Sequence, residues 1–589
     1  MPTLDWLNRA YAFTTAARVP YRLLERVSVH TPTVQPEPVE AAPPAQAELL
    51  TEPAARPSSI RPEPVEGLAD NLLIQGDNLE ALKALLPFYR SQVKCIFIDP
   101  PYNTKSAFEH YDDNLEHAQW LSMMLPRLQL LRELLREDGS IWVTIDDNEG
   151  HYLKVLMDEV FGRGNFVANV FWQKTPTREN RTDVSAVHDH ILLYAKKRDG
   201  WKEVRNMLPS SEDQLDRFVN PDGDSRGVWA SLPAHAKAEK GRREAQFFTI
   251  TTPSGRKIDS PPGRCWLYTE PRFQEMVKDN RIWFGEAGGN APRVKKFLSE
   301  VQAGLVPSTL WLHQEVGTNG RAKSELVELF PGETPFSTPK PEALLQRMLH
   351  ISSNPGDLVL DSFLGSGTTA AVAHKMGRRW IGIEMGDHAA THCLPRLQKV
   401  IDGEQGGISK ALEWRGGGSF RFMRLGPTVF DEAGRIHPAV RFTTLAAFIW
   451  QQETGTAWPG NGLARHPASA KAGTPYLGAC YENSSELLNK YATSLPISSI
   501  NPQNEPLNAS IIPKMGMYLL FNGILGDKRP ASGNVLTHAV LDALLALHAT
   551  TLAAAAPLLV YGEACRLGEE RLKQANVTFK HIPYDVRAR

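Results

Sequence analysis

A short apolar run that ends on an acid and two prolines constrains this chain most. Val93-Lys94-Cys95-Ile96-Phe97-Ile98 reads as a buried strand, and Asp99-Pro100-Pro101-Tyr102 stops it. Related units recur along the chain. Leu72-Leu73-Ile74 leads through Gly76-Asp77-Asn78 into a helical pattern over 79–86. A long amphipathic helix is predicted over 120–135, a turn at Asp138-Gly139 and a strand over 141–145. Strand and helix alternate again near 190–195, 357–361 and 380–384. This alternation predicts an α/β chain with a doubly wound, mainly parallel sheet.

The rest of the chain divides by composition. Its 589 residues suffice for three or four domains, and 42% hydrophobic with 22% charged residues is ordinary for a globular protein. Residues 1–30 form an N-terminal segment. Residues 31–69 carry Pro-Glu-Pro-Val-Glu twice, with too few large apolar side chains to offset ordering entropy, and are predicted to be a disordered linker. Strand and helix signals fill 70–200 and 336–410, and they weaken across 201–335. A separate α/β region follows over 420–589, with a helix near 536–547 and a strand near 557–561.

Charge and cysteine usage exclude several classes. The net charge is −1, so any surface for nucleic acid must be local. Between 226 and 296 there are 14 Lys and Arg against 7 Asp and Glu, which is such a local excess. Cys95, Cys265, Cys393, Cys480 and Cys565 form no CxxC pair, which speaks against a disulfide framework or a zinc ribbon and fits a reducing cytoplasm. The start, Met1-Pro2-Thr3-Leu4-Asp5-Trp6, lacks the pattern of a secretion signal. The apolar stretch 540–561 is interrupted by Asp542, His548 and Pro557, so no membrane span is expected.

Asp99-Pro100-Pro101-Tyr102 suits one kind of chemistry. An exocyclic amine on a nucleobase is a poor nucleophile, because its lone pair is delocalised into the ring. Acceptors such as the Asp99 carboxylate and the Pro100 carbonyl would draw its N–H groups out of the ring plane. The prolines stiffen the loop, and Tyr102 offers a face for a base flipped from its duplex. Read alone, the four residues are equally a turn with a capping Asp. A second loop, Asp361-Ser362-Phe363-Leu364-Gly365-Ser366-Gly367-Thr368-Thr369, follows Leu358-Val359-Leu360 and opens a helix. Its glycines permit close approach of backbone to ligand. Trp380-Ile381-Gly382-Ile383-Glu384 is another strand ending in an acid, suited to ribose hydroxyls. If the strands before Asp99 and Asp361 are neighbours, one loop holds a methyl donor and the other its acceptor.

Together, Asp-Pro-Pro-Tyr and Asp-x-Phe-x-Gly-x-Gly-Thr resemble the amino-methyltransferases of DNA, in the motif order of their beta class. Leu73–Glu80, Ile98–Thr104, Phe336–Pro341, Asn354–Asp357 and Leu4–Arg9 are similar to the modification (Mod) subunits of type III restriction-modification systems. The resemblance implies a methyltransferase sheet with circularly permuted motifs, S-adenosylmethionine as cofactor and double-stranded DNA as substrate. It implies Asp99, Pro100, Pro101 and Tyr102 as the catalytic loop. Asp77, Thr338, Lys340, Asp361, Phe363, Gly365, Ser366, Gly367, Thr368 and Glu384 would form the cofactor site. Leu364 departs from the small residue usual there. Asp rather than Ser at position 99 implies adenine N6; cytosine N4, or a catalytically silent specificity subunit, are the alternatives. A homodimer assembled through 420–589 and a separate helicase–nuclease restriction subunit are further implications.

Other residues carry weaker expectations. Arg242, Arg243, Arg256, Lys257, Arg293, Lys295 and Lys296 are the candidates for DNA contact, within 201–335 as a target-recognition region. Trp266, Tyr268, Trp283 and Phe284 read as the core of that region. Trp172 and His188-Asp189-His190 are candidates for the base pocket. No metal is expected, because no further matched ligands stand near His188 and His190 in sequence.

Overall fold

Ten strands form one sheet in which neighbours are seldom consecutive in the chain. The computed structural model describes residues 3–33, 71–104, 116–180, 183–209, 215–238, 243–300, 304–458, 463–464, 477–481, 516–521, 524–530, 532–549, 557–582 and 586. The strands are β1 Arg22–His30, β2 Asn71–Gln75, β3 Val93–Ile98, β4 Leu135–Ile145, β5 Phe166–Gln173, β6 His188–Ala195, β7 Leu310–Trp311, β8 Leu358–Asp361, β9 Arg379–Glu384 and β10 Phe420–Thr428. Their spatial order is β1-β10-β2-β9-β8-β3-β4-β6-β5-β7. From β10 to β4 every pairing is parallel. Beyond β4, β6 and β5 pair antiparallel, and β1 closes the other edge antiparallel to β10.

Local chemistry explains the elements that matter. All six residues of β3 are buried, as expected of a strand covered on both faces. Even Lys94 complies, because its ammonium reaches the Asp138 carboxylate at 3.0 Å. Helix α1 (Arg9–Arg18) precedes β1. Helix α2 (Asn78–Tyr89) begins where Asp77 accepts the Leu79 and Glu80 amides at 2.8 and 3.3 Å. Helix α3 (His117–Leu134) joins β3 to β4, and α4 (Gly150–Met157) follows β4. Helix α5 (Glu342–Ser352) precedes β8, and the wholly buried α6 (Thr368–Lys375) joins β8 to β9.

The topology reverses between β3 and β8. From β3 the chain winds through α3 toward β4; from β8 it winds through α6 toward β9, on the other side. The two strands are parallel neighbours, with Val359 beside Cys95 and Leu360 beside Ile96. Such a switch point opens a crevice at the strands' carboxyl ends.

Several boundaries differ from expectation. Asp138-Gly139 is not a turn: α3 runs directly into β4, and the residues form a bulge between the Val93–Leu135 and Cys95–Ser140 pairs. Lys94 and Arg136 both bind Asp138 and hold the extra residues out of the ladder. The N-terminal segment is an edge of the main sheet through β1, and 420–428 belongs to that sheet as β10. The later helix and strand are His538–Ala549 and Leu558–Gly562, close to prediction. Most of the 31–69 linker lies outside the described residues. Among the described residues, no helix is long and apolar enough to cross a membrane.

The insert, by itself, is a compact unit over Asn206–Ser308. It is shorter than the 201–335 expected, because Leu310–Trp311 pairs with β5 and returns 309–335 to the first unit. Trp266, Phe273, Ile282 and Phe284 build its core, with Tyr268 packed against them. Lys295 departs from its expected role. Its side chain is fully buried over the Trp229 ring and pairs with Asp222 and with Asp224. It is a structural charge, not a surface one. Removing one partner of such a buried set leaves uncompensated charge, so Lys295→Ala should cost this unit about 3–5 kcal/mol. Urea unfolding of the full chain measures it, and a loss below about 1 kcal/mol would contradict the buried pairing.

Candidate active site

Asp99 and Asp361 leave the carboxyl ends of β3 and β8 and line one cavity of about 250 Å³. Pro100, Pro101 and Tyr102 share its wall with Phe363, Gly365, Ser366 and Thr368, and Thr338 and Lys340 complete it from the segment before α5. The two loops singled out in the sequence therefore face the same space.

The Asp99 side is tightly held. One carboxylate oxygen accepts the Thr144 hydroxyl of β4 at 2.5 Å, and the other pairs with the Lys340 ammonium. Lys340, expected with the cofactor group, also lies 5.3 Å from the centre of the Tyr102 ring. The Tyr102 hydroxyl donates to Asp189 at 3.3 Å, and Lys174 donates to the same carboxylate at 2.6 Å. Burial, then the carboxylates of Asp189 and Asp99, push the phenol far above its usual range, so it stays a neutral donor. The Trp120 indole donates to the Pro101 carbonyl at 2.8 Å. Asn103 turns the chain with a φ of 60°, and its amide donates to the buried Glu149 at 2.7 Å.

The Asp361 side is built on backbone turns. Asp361 accepts the Phe363 amide at 2.9 Å and the Thr369 hydroxyl at 2.6 Å, which folds the loop back over β8. Gly365 and Gly367 adopt φ of 56° and 81°, a region that glycine enters without strain. Glu384 is buried and accepts the Gly365 and Met385 amides at 2.6 and 2.9 Å, so it braces the loop from β9. Asp77 caps α2 and pairs with Arg127 at 3.0 Å. Neither of these acids lines the cavity, and nor does Gly367. Leu364 fits a loop expected to carry a small residue because it packs over Gly382, where a Cβ would come within 2.6 Å of it.

Thr144, Lys174 and Asn319 touch the site although no sequence motif marked them. Trp172 does not line the cavity; it is buried and donates to the Gly317 carbonyl at 3.0 Å. Of the His188-Asp189-His190 run, Asp189 alone contacts the Asp99–Tyr102 loop among the described residues. In the insert, Arg256, Lys257 and Arg293 are exposed and Arg243 and Lys296 half-buried, while Arg242 lies outside the described residues.

A family model described as DNA methylase matches residues 93–393, half of the chain. The chain is 35% identical to the StyLTI Mod subunit, a type III restriction-modification enzyme of Salmonella typhimurium, over 51% of this chain and 49% of that protein. It is 31% identical to the probable type III HindVI Mod subunit of Haemophilus influenzae, over 62% of this chain and 55% of the relative. It is 46% identical to the DNA adenine methyltransferase YhdJ of Escherichia coli, over 57% of this chain and 90% of that protein. The chain thus spans about half the length of the Mod subunits it matches.

Asp361 gives the site a pH signature. Burial raises its carboxyl from 3.8 to about 7. Between those values the folded chain holds a proton that the unfolded chain has released, so stability falls as pH rises from about 4 to 7. Asp361→Asn should flatten that part of the stability–pH curve, measured by urea unfolding at several pH values. An unchanged slope would show that Asp361 titrates normally.

Proposed function

The chain belongs to the DNA methylase family, and from that premise we propose that it methylates adenine N6 in double-stranded DNA, using S-adenosylmethionine. The observation that carries this reading is the single cavity shared by the Asp99 and Asp361 loops.

The cavity's donors suit that cofactor. Asp361 offers a carboxylate, Phe336 and Phe363 apolar faces, and Gly365 a backbone that a ligand can approach. Asp361, Phe363, Gly365, Ser366, Thr368 and Thr338 would hold it, with Gly367, Glu384 and Asp77 bracing the loop and α2. S-adenosylmethionine supplies an electrophilic methyl group on a sulfonium. The chain's own residues prepare the other reactant. Asp99 and the Pro100 carbonyl accept the two N–H bonds of the target amine and restore its lone pair as nucleophile. Tyr102 stacks on the flipped base, steadied through its hydroxyl by Asp189. Lys340, an ammonium on Asp99 beside the Tyr102 ring, stands in for the substrate amine and yields one oxygen when the base arrives.

Adenine is favoured over cytosine by the acid at position 99 and by likeness to a protein named as an adenine methyltransferase. Sequence choice we assign to 206–308, with Arg243, Arg256, Lys257, Arg293 and Lys296 as its DNA-facing charges and Arg242 as a further candidate. By likeness to type III Mod subunits, a restriction subunit is the expected partner, and the C-terminal region is the expected contact of a homodimer.

Asp99→Ala should lower methylation at least a hundredfold, about 3 kcal/mol, while S-adenosylmethionine binding stays near wild type. Nucleoside analysis of the methylated DNA should show N6-methyladenine. Equal loss of binding would move Asp99 into the cofactor site, and N4-methylcytosine would reassign the substrate. Exchanging 206–308 for the matching segment of a relative should move methylation to that relative's sequence. A folded, active chimera that still marks the original sequence would place recognition elsewhere.

A further inference from the structure

The fold brings to His188 and His190 the partners that their sequence neighbourhood lacks. On β6 the two histidines stand two residues apart and share one face of the strand, while Asp189 between them faces Tyr102. The chain leaving β4 alternates in the same way: Asp146 lines the catalytic cavity and Asp147 turns to the histidines. Ligand atoms of Asp147, His188 and His190 all lie within 4.8 Å of one another. His190 Nε2 is 2.8 Å from Asp147 Oδ1, and His151 Nε2, from the first turn of α4, is 3.9 Å from the same oxygen.

We propose that Asp147, His188 and His190 bind a divalent transition-metal ion, zinc foremost, on the face of β6 opposite the catalytic cavity. Two imidazoles and a carboxylate are the donors a borderline ion takes, whereas magnesium and calcium prefer oxygen alone. Donors about 2.0–2.1 Å from a common ion stand a little over 3 Å apart, so small side-chain rotations close the set. His151, exposed and adjacent, or a water completes four-coordination.

A second observation comes from behind His190. Asn169 lies 3.0 Å from His190 Nδ1, and its buried Oδ1 accepts no hydrogen bond among the described residues. With Nε2 on a metal, the imidazole carries its proton on Nδ1 and needs an acceptor there. Rotation of the Asn169 amide presents Oδ1 to that proton and gives the now unpartnered oxygen a donor. The ion would tie the loop after β4 to the start of β6, and so hold Asp189 in place under Tyr102. Its role is that of a clamp, not a reactant.

The test uses the tag-free full-length chain, stripped with EDTA and titrated with Zn²⁺ against a chromophoric chelator. One zinc per chain is expected. Asp147→Asn and His188→Ala should each weaken binding at least about tenfold, with circular dichroism unchanged. Co²⁺ should give visible bands without thiolate charge-transfer absorption, which separates this site from a cysteine site. Failure to retain zinc, or zinc held equally well by both variants, would overturn the proposal.

Discussion

The pairing of β3 with β8 is the contact on which the site depends. Each strand is short and wholly buried, and the sheet delivers to the same crevice the carboxylate that ends β8, Asp361, and the one that follows β3, Asp99. Chain order would never place them together. β8 and β9 come late in the sequence yet insert between β2 and β3. That permutation separates the two halves of the site along the chain and joins them in space. The compact unit Asn206–Ser308 enters the chain between β6 and β7.

Bringing several acids to one crevice carries an electrostatic cost, and the structure meets it with matched donors. Asp99 has Thr144 and Lys340; Asp189 has Lys174 and Tyr102; Asp361 has a backbone amide and Thr369. Buried carboxylates are tolerable only when so satisfied. Asp361, with the fewest charged partners, is the one whose carboxyl rises to about 7. An acid balanced near neutrality is suited to a site that receives a cationic ligand, whose charge would favour the ionised form.

The strands at the centre of the sheet were legible in the sequence because a buried parallel strand is an apolar run with a sharp end. Asp99 and Asp361 were legible for the same reason, as the polar residues on which those runs stop. Side chains that act through packing were not. Thr144 is the one polar residue in the apolar run 141–145, and only the β3–β4 pairing gives it a meaning. Lys295 looked like its neighbours Arg293, which is exposed, and Lys296, which is half-buried, since burial of a lysine depends on Asp222 and Asp224 far away in the chain. Glu384 and Asp77 also take partners that spacing could not reveal: Glu384 accepts backbone amides and pairs with His388, and Asp77 caps α2 and pairs with Arg127. Residues 22–30 and 420–428 lacked a strand signal strong enough to reveal that they pair with each other at the sheet edge.

The central claim is that one cavity at the β3–β8 switch point serves both loops. Hydrogen–deuterium exchange of the full chain with and without S-adenosylmethionine tests it most directly. Binding should slow exchange together at 361–369 and at the amides of Tyr102 and Asn103, which are remote in sequence and adjacent in the fold. Protection confined to 361–384, with Tyr102 and Asn103 unchanged at saturation, would contradict a shared cavity.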